Sequence, residues 1–292
     1  MVHTPLRRRG LYDWGPLRIT AVDPFGLFRR VREVGGAQQI LVYPPVVDLP
    51  HFQAPPANLP GEGRFRRRTH YVTPNAAGVR LYAPGDAFNR IHWKSTARTG
   101  ELMVKTFELD PASDIWVILD LERRTNAGRD DDSTEEYGVR IAASVARHYN
   151  VNNRPVGMMM FGRDLQVIEP ERGGQHLTKI LESLATAYAV GDAPLGNLLM
   201  EEQRRFGRHT TLVVITSATD DHWLTAIQML TQRGVRAAVI PRAPSTFGSD
   251  RSPLLLYSQL TASDIMTYVV RKGDDLGLAL SPTATGASAW QA

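Results

Sequence analysis

The chain has 292 residues, a hydrophobic share of 42%, a mean hydropathy of −0.25 and a net charge of +4. These values suit one large domain or two modest ones, and the longest apolar runs are too short to offer a membrane-crossing helix. Zero cysteines exclude disulfides, thiolate nucleophiles and cysteine-ligated zinc, as suits a reducing compartment.

The charge is unevenly spread. Residues 1–100 carry 15 Lys and Arg against 6 Asp and Glu, a net of +9; the remaining 19 cations and 24 anions give residues 101–292 a net of −5. A basic N-terminal third can meet acidic lipid, nucleic acid or an acidic partner, or simply be a solvated face attracted to the other half.

In chain order, alternating residues predict a half-buried strand over 17–22, a turn at Asp23-Pro24-Phe25-Gly26 with a second alternating run beyond it, and a strand over 39–43 that stops at Pro44-Pro45. So few strands make no stable sheet alone, which reads as the later part of a β-rich domain spanning 1–80. Six prolines between 44 and 64 mark an extended connector, and Arg64, Arg66, Arg67 and Arg68 follow it in what reads as a solvated loop. A turn at Pro84-Gly85-Asp86 leads into a cationic stretch and then a strand over 102–108; residues 81–112 read as a joint.

From Ser113 the period changes. Ile115-Trp116-Val117-Ile118-Leu119 is a continuous apolar run ending at Asp120, as expected of a central parallel strand. A helix over 135–149 capped by Ser133 or Thr134 follows. Next come a buried strand over 155–161 and a tight turn at Gly162-Arg163-Asp164 into a paired strand over 165–168. Helices are predicted over 177–189, 195–206, 223–233 and 274–280, with strands over 211–215, 235–240 and 266–271. Residues 283–292 read as a fraying tail. This alternation describes a doubly wound, mainly parallel α/β sheet over 113–282 with one antiparallel edge strand, and an acidic residue ending its first strand makes it look like the von Willebrand factor A fold.

A more specific resemblance rests on motifs. Gly85, Asp86, Arg90, Ile91, Trp93, Lys94, Ala97 and Arg98 form a GD-(x3)-RI-x-WK-(x2)-AR pattern. RRGLYDWGP, DPFGLFRR and VYPPVVDL precede it in order. Together they resemble the family called domain of unknown function 58. The resemblance implies that relatives carry two transmembrane helices and further β-strands ahead of the RRG motif, so that this chain reads as a fragment. It also implies a bacterial, membrane-associated setting at the inner face of the membrane if such an anchor exists, and work beside a MoxR-type AAA+ ATPase.

Candidate chemistry centres on Asp120. A metal-ion-dependent adhesion site needs Asp-x-Ser-x-Ser after the first strand, with a Thr and an Asp from later loops, because hydroxyl and carboxylate oxygens suit octahedral Mg²⁺. Here Glu122 and Arg124 occupy the serine positions, and Ser217 and Asp220 follow the fourth strand. Metal candidates are therefore Asp120, Glu122, Ser217 and Asp220 in a degenerate site; the competing reading pairs Asp120 with an arginine. Asp86, Arg90, Trp93, Lys94 and Arg98 read as a joint or partner-binding cluster, with Trp93 as its plug. The sequence contains no GxSxG, P-loop or GxGxxG motif. The favoured expectation is a non-enzymatic interaction module that needs no cofactor and docks partners near Asp120, Asp192-Ala193-Pro194 and Thr216-Ser217. Its competitors are a metal-dependent hydrolase using Asp120 and Glu122 and a nucleic-acid binder using the basic third.

Overall fold

The structure is a computed structural model that describes residues 6, 8–55, 76–83, 91–107, 114–251, 253–263 and 265–282. The chain divides into two units, one of residues 1–58 with 113–292 and the other of residues 59–112. Residues 1–58 group with the α/β part. Asp86, Arg90, the arginine run at 64–68 and the tail lie outside the described residues.

The first unit begins with two antiparallel ribbons. Strand β1 (Gly10–Trp14) pairs with β4 (Gln38–Val42), and between them β2 (Leu17–Val22) pairs with β3 (Arg29–Val34). Every residue of β2 and β3 is exposed. The half-buried strand expected over 17–22 is therefore corrected: a two-stranded ribbon offers nothing to cover either of its faces.

In the second unit, β5 (Ala76–Leu81) pairs antiparallel with β6 (Met103–Phe107), and Ile91 bridges to Val104, both buried. Helix α1 (Trp93–Thr99) was not foreseen. Its ends explain it. The His92 Nδ1 accepts from the Ser95 amide at 3.2 Å, and Gly100 closes the helix at φ 77°, a left-handed stop that glycine adopts freely.

The large sheet follows. Its six strands are β7 (Asp114–Asp120), β10 (Val156–Phe161), β11 (Leu165–Glu171), β12 (Thr210–Thr216), β13 (Arg236–Pro241) and β14 (Met266–Thr267); a small ribbon, β8 (Gly128–Arg129) with β9 (Asp132–Ser133), sits in the loop after β7. The order is β11-β10-β7-β12-β13-β14, parallel throughout except for β11. This is the doubly wound sheet with one antiparallel edge that the sequence predicts. Alternation along each strand feeds two cores: Ile115, Val117 and Leu119 of β7 join one, Trp116 and Ile118 the other. Helices α2 (Thr134–Val151) and α3 (Gly174–Ala185) cover the first core. Helices α4 (Leu195–Glu201), α5 (His222–Gln232) and α6 (Leu254–Ala262) cover the second, and α7 (Leu276–Ala279) returns to the first. Two expectations shift. The strand expected over 266–271 is regular only at Met266–Thr267, resuming as a single bridge between Arg242 and Val270. Helix α6 went unpredicted because its LLLYSQL run has no polar stripe to mark a period.

Arg9 ties the first ribbon to this sheet's helices. Its side chain is buried and donates to the carbonyls of Leu184 at 2.9 Å and Ala187 at 2.5 Å, at the C-terminal end of α3. The same guanidinium pairs with Glu135 at 3.0 Å and Glu136 at 2.9 Å, in the first turn of α2. One planar fork thereby satisfies orphan carbonyls of one helix and acidic side chains of another.

Candidate functional site

Doubly wound sheets place ligands where the strand order reverses, beyond the carboxyl ends of the strands. That point here lies between β7 and β12, and Asp120 sits on it. Its Oδ2 accepts from the Thr216 hydroxyl at 2.7 Å and the Thr125 hydroxyl at 3.2 Å, while its Oδ1 accepts from the Glu122 amide at 2.9 Å. Asp120 is buried with all three partners in place. It fastens the loop after β7 to the end of β12.

The arginine beneath Asp120 is Arg242, from the end of β13, and sequence reasoning missed it. The guanidinium is wholly buried and donates to the main-chain carbonyls of Thr134 at 2.6 Å and Asp120 at 3.2 Å. Burial lowers its pKa to about 10, against the pull of Asp120 and Glu135. The expected pairing of the Asp120 carboxylate with an arginine is corrected: hydroxyls and an amide hold the carboxylate, and Arg242 holds the main chain. Space for Arg242 comes from Gly138 of α2, where a Cβ would lie 2.2 Å from its Nη1.

Above Asp120 is an open pocket of about 290 Å³ lined by Glu122, Arg124, Thr125, Pro194, Asn197, Asp220, His222 and Arg251. Glu122 is 7% exposed, and no hydrogen bond or ion pair reaches its carboxylate among the described residues. Burial, followed by the nearby Asp120 and Asp220 charges, raises its pKa, with Arg124 and Arg251 of the same pocket pulling the other way. Asp220 is exposed, and its Oδ1 accepts from the His222 amide at 3.2 Å. Ser217 is buried, with its hydroxyl unpaired among the described residues. The four metal candidates thus gather at one end of the sheet in different states: Asp120 engaged at both oxygens, Glu122 open to the pocket, Asp220 on the rim and Ser217 sealed. Among the described residues no group of three or more His, Asp or Glu is placed to hold a metal ion.

Other predicted residues fall elsewhere. Asp192 pairs with Arg123 at the surface at 2.9 Å, whereas Pro194 reaches the pocket. Asp130, Asp131 and Asp132 are split between Arg8 and Lys272 in exposed pairs, of the kind worth little to stability. Trp93, Lys94 and Arg98 are exposed on α1 of the second unit, which buries none of its residues. Trp93 is 68% exposed on the surface of that helix.

The fold and site define an α/β domain of von Willebrand factor A-like topology, with a polar pocket at the strand-order reversal of its sheet. The chain belongs to the family described as "Protein of unknown function DUF58", whose profile matches residues 78–241. An uncharacterised protein of Bacillus subtilis, YeaD, is 28% identical over 150 residues, covering 51% of this chain and 36% of its own length. An uncharacterised protein of Mycobacterium tuberculosis H37Rv is 26% identical over 141 residues, covering 47% of this chain and 44% of its own. The chain therefore spans less than half the length of the curated relatives it matches. Among solved structures, an aerotolerance-related membrane protein from Bacteroides fragilis superposes with TM-score 0.43 at 15% identity, over 59% of this chain and 96% of that one. Among the described residues no helix is long and apolar enough to cross a membrane.

Proposed function

We propose that this chain is a non-enzymatic interaction module whose docking face is the pocket above Asp120. The observation that carries the reading is Glu122, a mostly buried side chain that makes no direct hydrogen bond or ion pair among the described residues and opens into a pocket whose Arg124 and Arg251 only partly offset its charge. A buried ionisable group is stabilised only by pairing or by neutralisation. An incoming lysine or arginine of a partner would supply the missing donors, and 290 Å³ suits one inserted side chain better than a drug-sized ligand. The donor set fits Mg²⁺ poorly. Both Asp120 oxygens are already engaged, a carboxylate and an arginine stand at the two serine positions, and a hard octahedral cation wants more free oxygens than Glu122 and Asp220 provide. We therefore read the site as a degenerate adhesion site that works without metal.

The partner we propose, from the family resemblance, is a MoxR-type AAA+ ATPase. The test is a pull-down of the ATPase encoded nearest this gene by wild type and by Glu122→Lys, with folding of the variant checked by circular dichroism. Capture by wild type and loss with Glu122→Lys supports the reading. Equal capture by both moves the docking face elsewhere, and no capture by wild type removes the partner.

A further inference from the structure

The turn that joins β2 to β3 presents a wedge of apolar side chains. Phe25 is 84% exposed, and Leu27 and Phe28 are each 76% exposed. Exposure on that scale usually goes with a soft, unstructured loop, but this turn is held firmly. The Asp23 carboxylate accepts from the amides of Phe25 at 3.1 Å and Phe28 at 2.5 Å. Main-chain bonds run from Gly26 to the Asp23 carbonyl at 3.0 Å and from Asp23 to the Phe28 carbonyl at 3.1 Å. Gly26 takes φ 71°, which closes the turn without strain. The backbone carrying the three side chains is therefore held in a fixed turn, and little main-chain ordering entropy remains to be lost on docking.

Cations ring the wedge. Arg29 lies opposite Val22 and Arg30 opposite Ala21, so the two arginines project from opposite faces of the ribbon, and Arg32 shares the Arg30 face. None of the three has an ion-pair partner among the described residues, whereas Arg18 is neutralised by Glu33 at 3.0 Å and Asp23 is spent on the turn. From Arg30 to Phe28 is two residues, about 7 Å of strand. An apolar tip with a collar of unpaired cations that distance behind it matches the depth profile of a bilayer surface, where apolar groups sit ~5–10 Å below an anionic headgroup layer. A protein groove would require the cations on the side facing its acidic rim; here they flank the tip on both faces.

We propose that the Phe25-Leu27-Phe28 wedge docks this chain on anionic phospholipid, with Arg29, Arg30 and Arg32 engaging headgroup phosphates. The inference is independent of the pocket above Asp120. The test is cosedimentation of the full chain with vesicles of equal parts phosphatidylglycerol and phosphatidylcholine, with phosphatidylcholine alone, and with the mixed vesicles at high salt. Wild type should bind the mixed vesicles, bind phosphatidylcholine less, and weaken with salt. Phe25→Ser/Phe28→Ser should weaken binding at least ~tenfold through lost apolar burial. Arg29→Glu/Arg30→Glu should abolish the preference for anionic lipid. All the substituted side chains are exposed, so thermal unfolding of both variants should match wild type. Absence of wild-type binding, or equal binding by wild type and the phenylalanine variant, overturns the proposal. So does self-association in sedimentation velocity that the phenylalanine variant alone loses, because the tip would then be a protein contact.

Discussion

Replacing Arg9 with leucine tests how the N-terminal ribbon is attached. The guanidinium is sealed from solvent and satisfies the Leu184 and Ala187 carbonyls together with Glu135 and Glu136, while packing 5.2 Å from the centre of the Tyr188 ring. Leucine removes every donor at once, leaving two carbonyls and two half-buried carboxylates of like charge facing an apolar group. Breaking a buried, hydrogen-bonded ion pair from one side costs about 3–5 kcal/mol. For a folding unit of this size each kcal/mol moves Tm by ~2–4 °C, so a drop of about 6–20 °C is expected. Arg9→Lys should fall between the two, because an ammonium cannot reach both helices in one plane. Differential scanning calorimetry supplies the Tm, and amide exchange across Gly10–Trp14 shows whether β1 detaches. The cycle with Glu135→Gln should give a coupling above ~1 kcal/mol. A Tm drop of under ~2 °C for Arg9→Leu, with β1 still protected, would refute the claim that this side chain holds the ribbon in place.

Two further substitutions probe the site. Gly138→Ala places a methyl 2.2 Å from the Arg242 Nη1 and 3.1 Å from a Leu119 methyl, so it should destabilise by about 1–3 kcal/mol in urea unfolding despite alanine's better helix propensity; a stabilised variant would mean that Arg242 is not packed as described. The Glu122 carboxyl has a folded pKa raised above its ordinary 4.5, so the native state binds its proton more tightly than the unfolded chain. Its contribution to stability is therefore fully present below pH 4.5 and is lost as pH rises from there through the folded pKa. Glu122→Gln should match wild type at pH 4 and exceed it in stability at pH 7. A variant less stable at pH 7 would reveal a partner holding the carboxylate.

Much of the fold was legible because burial leaves a direct mark on strands and caps. The central strands read as unbroken apolar runs, Gly162-Arg163-Asp164 announces the hairpin, and Ser133 does cap α2 by accepting from the Glu136 amide at 3.2 Å. Where the sequence misled, the cause lies in long-range geometry. Alternation over 17–22 suggests half-burial, yet alternation shows only that two faces differ, not that either is covered. Arg9 and Arg242 carry the composition of surface residues, and their partners lie between 108 and 178 positions away, so nothing local marks them as buried. Of the site, Asp120 and Glu122 could be named from the strand end and its loop. The hydroxyl of Thr125 could not, because its place against Asp120 depends on the turn between them.

These details change what Asp120 is for. An aspartate closing the first strand of such a sheet invites a reading as a ligand, but a ligand must keep lone pairs free. Oδ2 here holds two hydroxyls, and the Thr216 hydroxyl in turn accepts from the Ala218 amide at 2.9 Å, so the carboxylate orders the loops after both β7 and β12. The Glu122 amide, bonded to Oδ1, fixes the backbone two residues on and so aims the next carboxylate into the pocket. Under the proposed docking role, Asp120 acts through position as the fixed post, and Glu122 is the group left to meet a partner. A substitution at Asp120 would lower docking and stability together. One at Glu122 should separate them, weakening docking while sparing or raising stability. That divergence distinguishes a binding residue from the residue that places it.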